Sequence, residues 1–252
     1  MATYRISFQL YSARNFPPIE KQLDTLVEIG FDAVEPFGGA YQADPKKLRD
    51  LCDAAGLKIP TCHMPLDELD RGISQAIDTA KTMGLEVMIV PAVPHDQRSK
   101  DADGWKALGA RLAQHAAAAR AAGLKLAWHN HAFEYTTLPD GSRPIDHLLA
   151  EGVMWEPDLG WIMRGKADVP AELAKFAGRI AAFHVKDLAP EGVTVDDGWT
   201  DVGAGIIDWT ALWPAIASAG TDILVLEHDA PSDWESFARR SYTFVAGLTG
   251  RV

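Results

Sequence analysis

The sequence predicts a single (β/α)8 TIM barrel over residues 1–252. Three observations predict it. Short apolar runs alternate with amphipathic stretches from end to end, and eight such pairs follow one another at roughly thirty residues each, the size of one strand–helix unit. The strand-like runs are apolar at consecutive positions, as parallel strands buried on both faces are. Charged side chains and imidazoles gather at the carboxyl ends of these runs and not at their amino ends, the polarity of a barrel whose chemistry sits on one rim.

Each element has its own local reason. Arg5–Leu10 reads as the first strand, and Pro18–Ile29 as a helix with proline in its first turn and Gly30 closing it. Ala33–Pro36 is a short strand. Pro45–Ala55 is a helix capped by Asp44 and ended by Gly56. Lys58–His63 reads as a strand, Glu68–Met83 as a helix ended by Gly84, and Glu86–Val90 as a buried strand. Asp103–Ala122 is a long alanine-rich helix ended by Gly123. Lys125–Asn130 is a strand, Ile145–Ala150 a short helix, Met154–Pro157 a weak strand and Pro170–Phe176 a helix after Asp168. Ile180–Val185 is a strand. Trp209–Ala219 is a helix capped by Asp208 and ended by Gly220, Ile223–Glu227 the eighth strand and Trp234–Leu248 the last helix.

An open doubly wound sheet is the rival. It is disfavoured because the first strand is not followed by G-x-G-x-x-G or a phosphate loop. Gly38-Gly39 and Gly203-Ala204-Gly205 read as turns. No linker or low-complexity tract divides the chain, so one domain is expected. The longest irregular stretch, Leu188–Ile206, is expected to form a lid or an arm, and it is the segment through which a homo-oligomer would form.

Composition narrows the function. Apolar residues make up 47% and charged residues 23%, which excludes disordered and fibrous classes. A chain of 252 residues buries roughly 70–75% of its unfolded surface and needs no staple to fold. The net charge is −11. Such a surface repels a phosphate backbone, which argues against a nucleic-acid partner. No run of eighteen apolar residues occurs, so no membrane span is expected. The start, Met1 to Ile6, lacks the apolar core of a signal peptide, and the cysteines, Cys52 and Cys62, suit a reducing compartment. The cytoplasm is the expected address.

Polar residues mark the strand ends: Glu35-Pro36 at the second, Cys62-His63 at the third and His129-Asn130-His131 at the fifth. Glu156-Pro157-Asp158 ends the sixth, His184 the seventh and Glu227-His228-Asp229 the eighth. Residues two apart on a strand share a face, so His129 and His131 point the same way, and burying both without partners is costly. Given the barrel, Asp158, His184 and Glu227 end three consecutive staves and suit a divalent cation. Mixed oxygen and nitrogen ligands fit Mn²⁺, Co²⁺, Mg²⁺ or catalytic Zn²⁺. Trp161 and Trp128 lie beside this rim. Trp161 is the better candidate to stack on a sugar, since alternation turns Trp128 away from its histidine neighbours.

At Val34-Glu35-Pro36, Trp128 to Tyr135, Asp158-Leu159-Gly160-Trp161, His184-Val185-Lys186-Asp187, Val202 to Trp209 and Leu226-Glu227-His228-Asp229, the sequence resembles the sugar phosphate isomerase/epimerase family, the xylose isomerase-like barrels. The resemblance implies one divalent metal near the top of the cavity, bound by Glu, Asp, His and Glu from strands five to eight. Asp158, His184 and Glu227 fill the last three positions. At the first, His129 stands where the family has Glu, and Glu134 is the alternative ligand. The histidine-asparagine-histidine version resembles the branch containing inosose dehydratase-like and keto-sugar-processing members.

The resemblance implies proton abstraction next to a carbonyl of a sugar or keto-sugar. Isomerisation or epimerisation is the first expectation, and dehydration or lysis, as in inosose dehydratase-like or 3-keto-glycoside-processing members, the second. Glu227 is expected as ligand and base, His129 or Glu134 as fourth ligand or proton shuttle, and His131 and His63 as donors to substrate oxygens. Lys186 is expected to stabilise an oxyanion, Glu35 to accept from a sugar hydroxyl, and Asp187 and Asp229 to orient their neighbours. An abasic-site endonuclease shares such a barrel and is disfavoured by the charge. A sugar-binding protein without catalysis is disfavoured by the retained carboxylates and imidazoles.

Overall fold

The computed structural model describes residues 4–251. Eight parallel strands form the staves: β1 Arg5–Gln9, β2 Ala33–Glu35, β3 Thr61–His63, β4 Val87–Val90, β5 Lys125–His129, β6 Met154–Glu156, β7 Phe183–Val185 and β10 Ile223–Leu226. Two four-stranded sheets, β2-β1-β10-β7 and β3-β4-β5-β6, are joined by bridges Ala33 to Lys58 and Phe37 to His63 on one side. Trp155 to Ile180 and Asp158 to His184 join them on the other, so the ring closes. The helices between staves are α1 Ile19–Ile29, α2 Gly38–Tyr41, α3 Pro45–Ala55, α4 Leu66–Met83, α5 Ala102–Ala121, α6 Pro144–Leu148, α7 Leu159–Arg164, α8 Val169–Lys175, α9 Trp209–Ser218 and α10 Trp234–Thr249. No helix of the described residues is long and apolar enough to cross a membrane.

Aspartates start many of these helices. Asp44 accepts from Lys47 N at 2.9 Å, Asp101 from Gly104 N at 3.0 Å and Asp233 from Ser236 N at 3.0 Å, each satisfying an amide that the first turn leaves free. The main core lies between staves and helices and includes both cysteines. Inside the barrel lie two small apolar clusters, one of Val87, Ile89, Ala127 and Ala181 and one of Ala182, Ile223 and Val225. Below it Arg5 pairs with Asp222 and Glu86. Above it the interior turns polar.

Three local readings are corrected and one helix is added. Lys58–His63 is a regular strand only from Thr61: Lys58 makes an isolated bridge to Ala33, and Pro60 between Lys58 and Thr61 has no amide to give a ladder. Gly38-Gly39 opens α2 and is not a turn. Residues 159–164 form α7, because Asp158 Oδ1 accepts from Trp161 N at 2.8 Å and caps a helix there. The Leu188–Ile206 excursion carries an antiparallel hairpin, β8 Asp187–Leu188 with β9 Trp199–Thr200. Its root is tied by the Asp187 carboxylate, which accepts from Leu188 N, Gly203 N, Gly205 N, Ile207 N and Trp209 Nε1 at 2.8–3.3 Å. A Cβ at Gly205 would lie 2.1 Å from Asp187 Oδ1, so the loop closes on this carboxylate only with glycine there. At the hairpin tip Arg164 Nη1 donates to Asp197 Oδ2 at 2.9 Å, and Asp197 lines the mouth of the barrel cleft.

Candidate metal centre and active site

The carboxyl ends of the staves floor a cleft of about 720 Å³. His63, His129, His131, Glu227 and Asp229 line its base, with Tyr11, Phe37 and Trp161 on its walls. Beneath lie two overlapping sets of ligand atoms, each with its members within 4.8 Å of one another: His129, Asp158, His184 and Glu227, and His63, His129, Glu156 and His184. All these residues are buried.

The set facing the cleft joins residues from four consecutive staves. His184 Nδ1 lies 3.0 Å from Glu227 Oε2 and 3.9 Å from Asp158 Oδ2, and His129 Nε2 lies 4.0 Å from Asp158 Oδ2. Asn130 holds Asp158 in place: its Oδ1 accepts from Asp158 N at 3.1 Å and its Nδ2 donates to Asp158 O at 3.3 Å. Lys186 Nζ reaches the same oxygens, 3.1 Å from Glu227 Oε2 and 3.5 Å from Asp158 Oδ2, and donates to Asp229 Oδ1 at 2.6 Å. Its ammonium also faces the Trp161 and Trp199 rings at 5.1 and 4.3 Å, a desolvated cation–π arrangement.

Burial and charge set the protonation states. Burial pushes Asp158 up to about 7 against the pull of Lys186, and burial with Glu35 pushes Glu156 up to about 7. Burial works against Glu227 too, but Lys186 and His184 hold it well below the usual carboxylate range. Burial would lower His184, yet Glu156, Glu35 and Glu227 outweigh it and hold it well above its ordinary value. His129 is pushed well down by burial and by His184, and His131 to about 3 by burial and Lys186. Lys186 is held protonated, since Glu227, Asp229 and Asp158 outweigh its burial.

The donor set fits a divalent cation. Among the described residues, Asp158 Oδ2, Glu156 Oε1, Glu35 Oε2 and His129 Nδ1 are buried without a hydrogen-bond partner. A buried carboxylate oxygen with no donor is costly, and a cation among oxygen and nitrogen ligands removes that cost.

Asp158, His184, Glu227, His129, His131, Trp161 and Lys186 therefore come together as a group. Two of the expected site residues stand elsewhere. Glu134 is turned back from the centre: its Oε1 accepts from Trp128 Nε1 at 3.1 Å and its Oε2 from His131 N at 2.8 Å, so it caps the turn Ala132–Tyr135. This corrects its expected ligand and proton-transfer roles. Glu35 is corrected as a contact for a sugar hydroxyl. It is fully buried below the cleft, with Oε1 2.7 Å from both Gln9 Nε2 and His184 Nε2. His63 lines the cleft, but its Nε2 points down to Glu156 and Glu35 at 3.0 and 3.1 Å. Trp128 is wholly buried.

Glu156 is the residue that sequence reasoning missed. Its signal was the two-residue spacing from Asp158, the same spacing that singled out His129 and His131. Arg14 was missed as well, and no motif marks it. It lies 3.7 Å over the Tyr11 ring, donates to Asp229 O at 2.6 Å and closes one wall.

Comparison with known proteins places this geometry. The chain is 24% identical over 242 residues to an inosose dehydratase of Lacticaseibacillus casei, covering 81% of this chain and 79% of that one. Among solved structures, a sugar phosphate isomerase/epimerase from Parabacteroides distasonis superposes with a TM-score of 0.81 at 18% identity, covering 97% of this chain and 94% of that one. A xylose isomerase-like TIM-barrel protein from Mycobacterium smegmatis, in complex with magnesium, gives 0.73 at 17% identity, covering 99% and 98%. A family model described as xylose isomerase-like TIM barrel matches residues 23–246. Seven of the eight staves fall within that match, and the protein belongs to the xylose isomerase-like TIM barrel family.

Proposed function

We propose that the protein is a metal-dependent enzyme acting on a small sugar or keto-sugar, abstracting a proton next to its carbonyl and returning it to isomerise or epimerise the substrate. The observation that carries this reading is the unpartnered Asp158 Oδ2, set beside His184, Glu227 and His129 at the floor of an open cleft. Asp158, His184, Glu227 and His129 would hold one divalent ion, which supplies Lewis-acid polarisation of a carbonyl and its neighbouring hydroxyl. The magnesium complex of the M. smegmatis protein supports such a role.

The chain's own groups divide the remaining work. His131 lines the cleft with an unpartnered Nδ1 and is held neutral by burial and Lys186, so it accepts a hydrogen bond from a substrate hydroxyl. Lys186 holds a fixed positive charge beside the reacting oxygens and stabilises negative charge that develops there. Asp229 accepts from Lys186 Nζ at 2.6 Å at the cleft wall, and burial raises it despite Lys186. Trp161 offers its indole face to the sugar ring. The −11 charge keeps phosphate-rich polymers away.

A second reading is dehydration, favoured by the match to inosose dehydratase over 81% of the chain. It begins with the same proton abstraction and ends with Asp229 protonating a departing β-hydroxyl beside the fixed charge of Lys186. The test is to incubate the Mn²⁺-loaded protein with a panel of keto-sugars and inososes in D₂O and follow the products by NMR and ultraviolet absorbance. Solvent deuterium next to the carbonyl with the carbon skeleton and hydroxyls intact supports the first reading. An absorbing enone formed with loss of water supports the second. Exchange no faster than in the metal-free control overturns both.

A further inference from the structure

We propose that the cleft has a second subsite, on the side away from the ligand set, built by Tyr11, Phe37, Pro65, Pro91 and Ala92, and that it takes a flat apolar ring carried on the sugar. The substrate is then a glycoside with an aromatic aglycone and not a free sugar. This inference rests on the proposed function, because it deepens the reading of the same cleft.

The rim is divided. The ends of β5, β6, β7 and β10 supply the ligand set, Lys186, Trp161 and Asp229. The segments that follow β1, β2, β3 and β4 supply Tyr11, Phe37, Pro65 and the pair Pro91-Ala92, all of which line the cleft. His63, the imidazole that this half contributes, is turned down to Glu156. Gln42 gives its side-chain N–H to Glu68 Oε2 at 2.8 Å, and Arg14 gives Nη1 to Tyr11 O and Asp229 O at 2.7 and 2.6 Å. The polar groups on this side are thus bound to the protein itself.

Size points the same way. The cleft of about 720 Å³ lies within the ~300–1,000 Å³ that takes a drug-sized ligand, several times what one pyranose ring fills. A sugar seated against His131, Glu227 and Trp161 leaves the Tyr11 side unfilled.

The aromatic wall is held in place. The Tyr11 and Phe37 rings meet at 88° with their centroids 5.2 Å apart. The Arg14 guanidinium lies 3.7 Å from the centre of the Tyr11 ring and covers one of its faces. Gly39 makes room for Phe37, since a Cβ there would lie 2.6 Å from Phe37 Cε2. Tyr11 is 36% exposed, and among the described residues it is the one aromatic of the large apolar side chains that stand exposed. A ring fixed by its neighbours and left open to a cleft loses little freedom when a ligand covers it.

Chemistry selects the ligand. The hydroxyls of a second sugar would meet Phe37 and Ala92, which have no polar side-chain atom, and two prolines, which have no amide N–H. A flat apolar ring needs no such partners and gains from the aromatic wall. Binding energy from this unreactive end is then available to hold the reacting end in place.

The test measures binding and not turnover. Phenyl and methyl β-glycosides of glucose, galactose and xylose are titrated into the Mn²⁺-loaded protein by calorimetry, and saturation-transfer NMR records which ligand protons touch it. Phenyl glycosides are expected to bind about 10-fold or more tighter than their methyl partners for at least one sugar, with the strongest transfer at the phenyl protons. In Tyr11→Ala that ratio is expected to fall to within about threefold. Ala92→Phe fills the subsite and is expected to do the same, and it decides the matter where circular dichroism shows that Tyr11→Ala does not fold. Equal affinity of the phenyl and methyl partners, a phenyl preference that survives in the folded variants, or no binding of any glycoside overturns the proposal. The proposed function fails separately. It falls when no keto-sugar or inosose exchanges its proton with solvent, and it stands when that exchange persists in a protein that ignores the phenyl group.

Discussion

Asp158 and Asp187 are both fully buried and stand at the ends of neighbouring staves, yet they differ in the one respect that matters for chemistry. Asp187 spends both oxygens on five donors and ties down the loop that follows it. Asp158 uses Oδ1 to cap α7 and keeps Oδ2 free beside two imidazoles and an ammonium. A buried carboxylate whose lone pairs are all filled is an anchor. One that is half-filled stores a demand for positive charge, and a cation-dependent site needs that demand. Burial and residue type are the same in both, so only the census of donors tells them apart.

The largest effect expected from this contrast is on folding. Asp187→Ala strands five donors inside the protein and should cost about 3–5 kcal/mol, with a drop of roughly 10 °C in Tm. Urea unfolding and calorimetry measure both. A loss under about 1 kcal/mol would break the comparison, because Asp187 would then be no anchor. Next in size is the response to metal. A divalent ion at 100 times its Kd should stabilise the wild type by about 2.7 kcal/mol. Asp158→Asn should remove most of that gain while changing the metal-free stability by less than about 1 kcal/mol, since it deletes a charge that burial already disfavours and keeps the α7 cap oxygen. Equal metal-induced shifts in both proteins would count against Asp158 as a ligand.

Glu134 sharpens the contrast from between the two. Both of its oxygens have donors, yet burial outweighs them and the pull of Arg98 and pushes it up to about 8. A raised folded value means that its contribution to stability is complete below the unfolded value near 4.5 and is lost as pH rises through about 8. Glu134→Gln should therefore gain on the wild type steadily between pH 5 and pH 8, in denaturant midpoints measured across that window. Parallel profiles would show that filled lone pairs alone suffice to hold a buried carboxylate charged.

These residues also show what a sequence reveals. Pro45–Ala55 is read to the residue, because Asp44, Pro45 and Gly56 are local signals that no tertiary contact overrides. Lys58–His63 is read too long, because an apolar run does not disclose which residues find a ladder partner. The staves, their order and the polar rim follow from periodicity and position. His129 and His131 were legible as a pair two residues apart and both line the cleft, 5.0 Å between ring centroids. Glu156 was not, since a single glutamate before a proline looks like a cap until the neighbouring stave supplies His184. Glu134 misled for the converse reason. Its reach back along the chain is visible in sequence, but the Trp128 indole that claims it is not.

The tie at Asp187 separates the hairpin from the barrel. Both ends of the excursion meet at one carboxylate, and the hairpin between them reaches back to the site through Trp199, which faces Lys186, and Asp197 at the cleft mouth. Asp197 at its tip borders the cleft, so a change in the hairpin's length would alter the doorway of the chamber while the Asp187 tie stays in place.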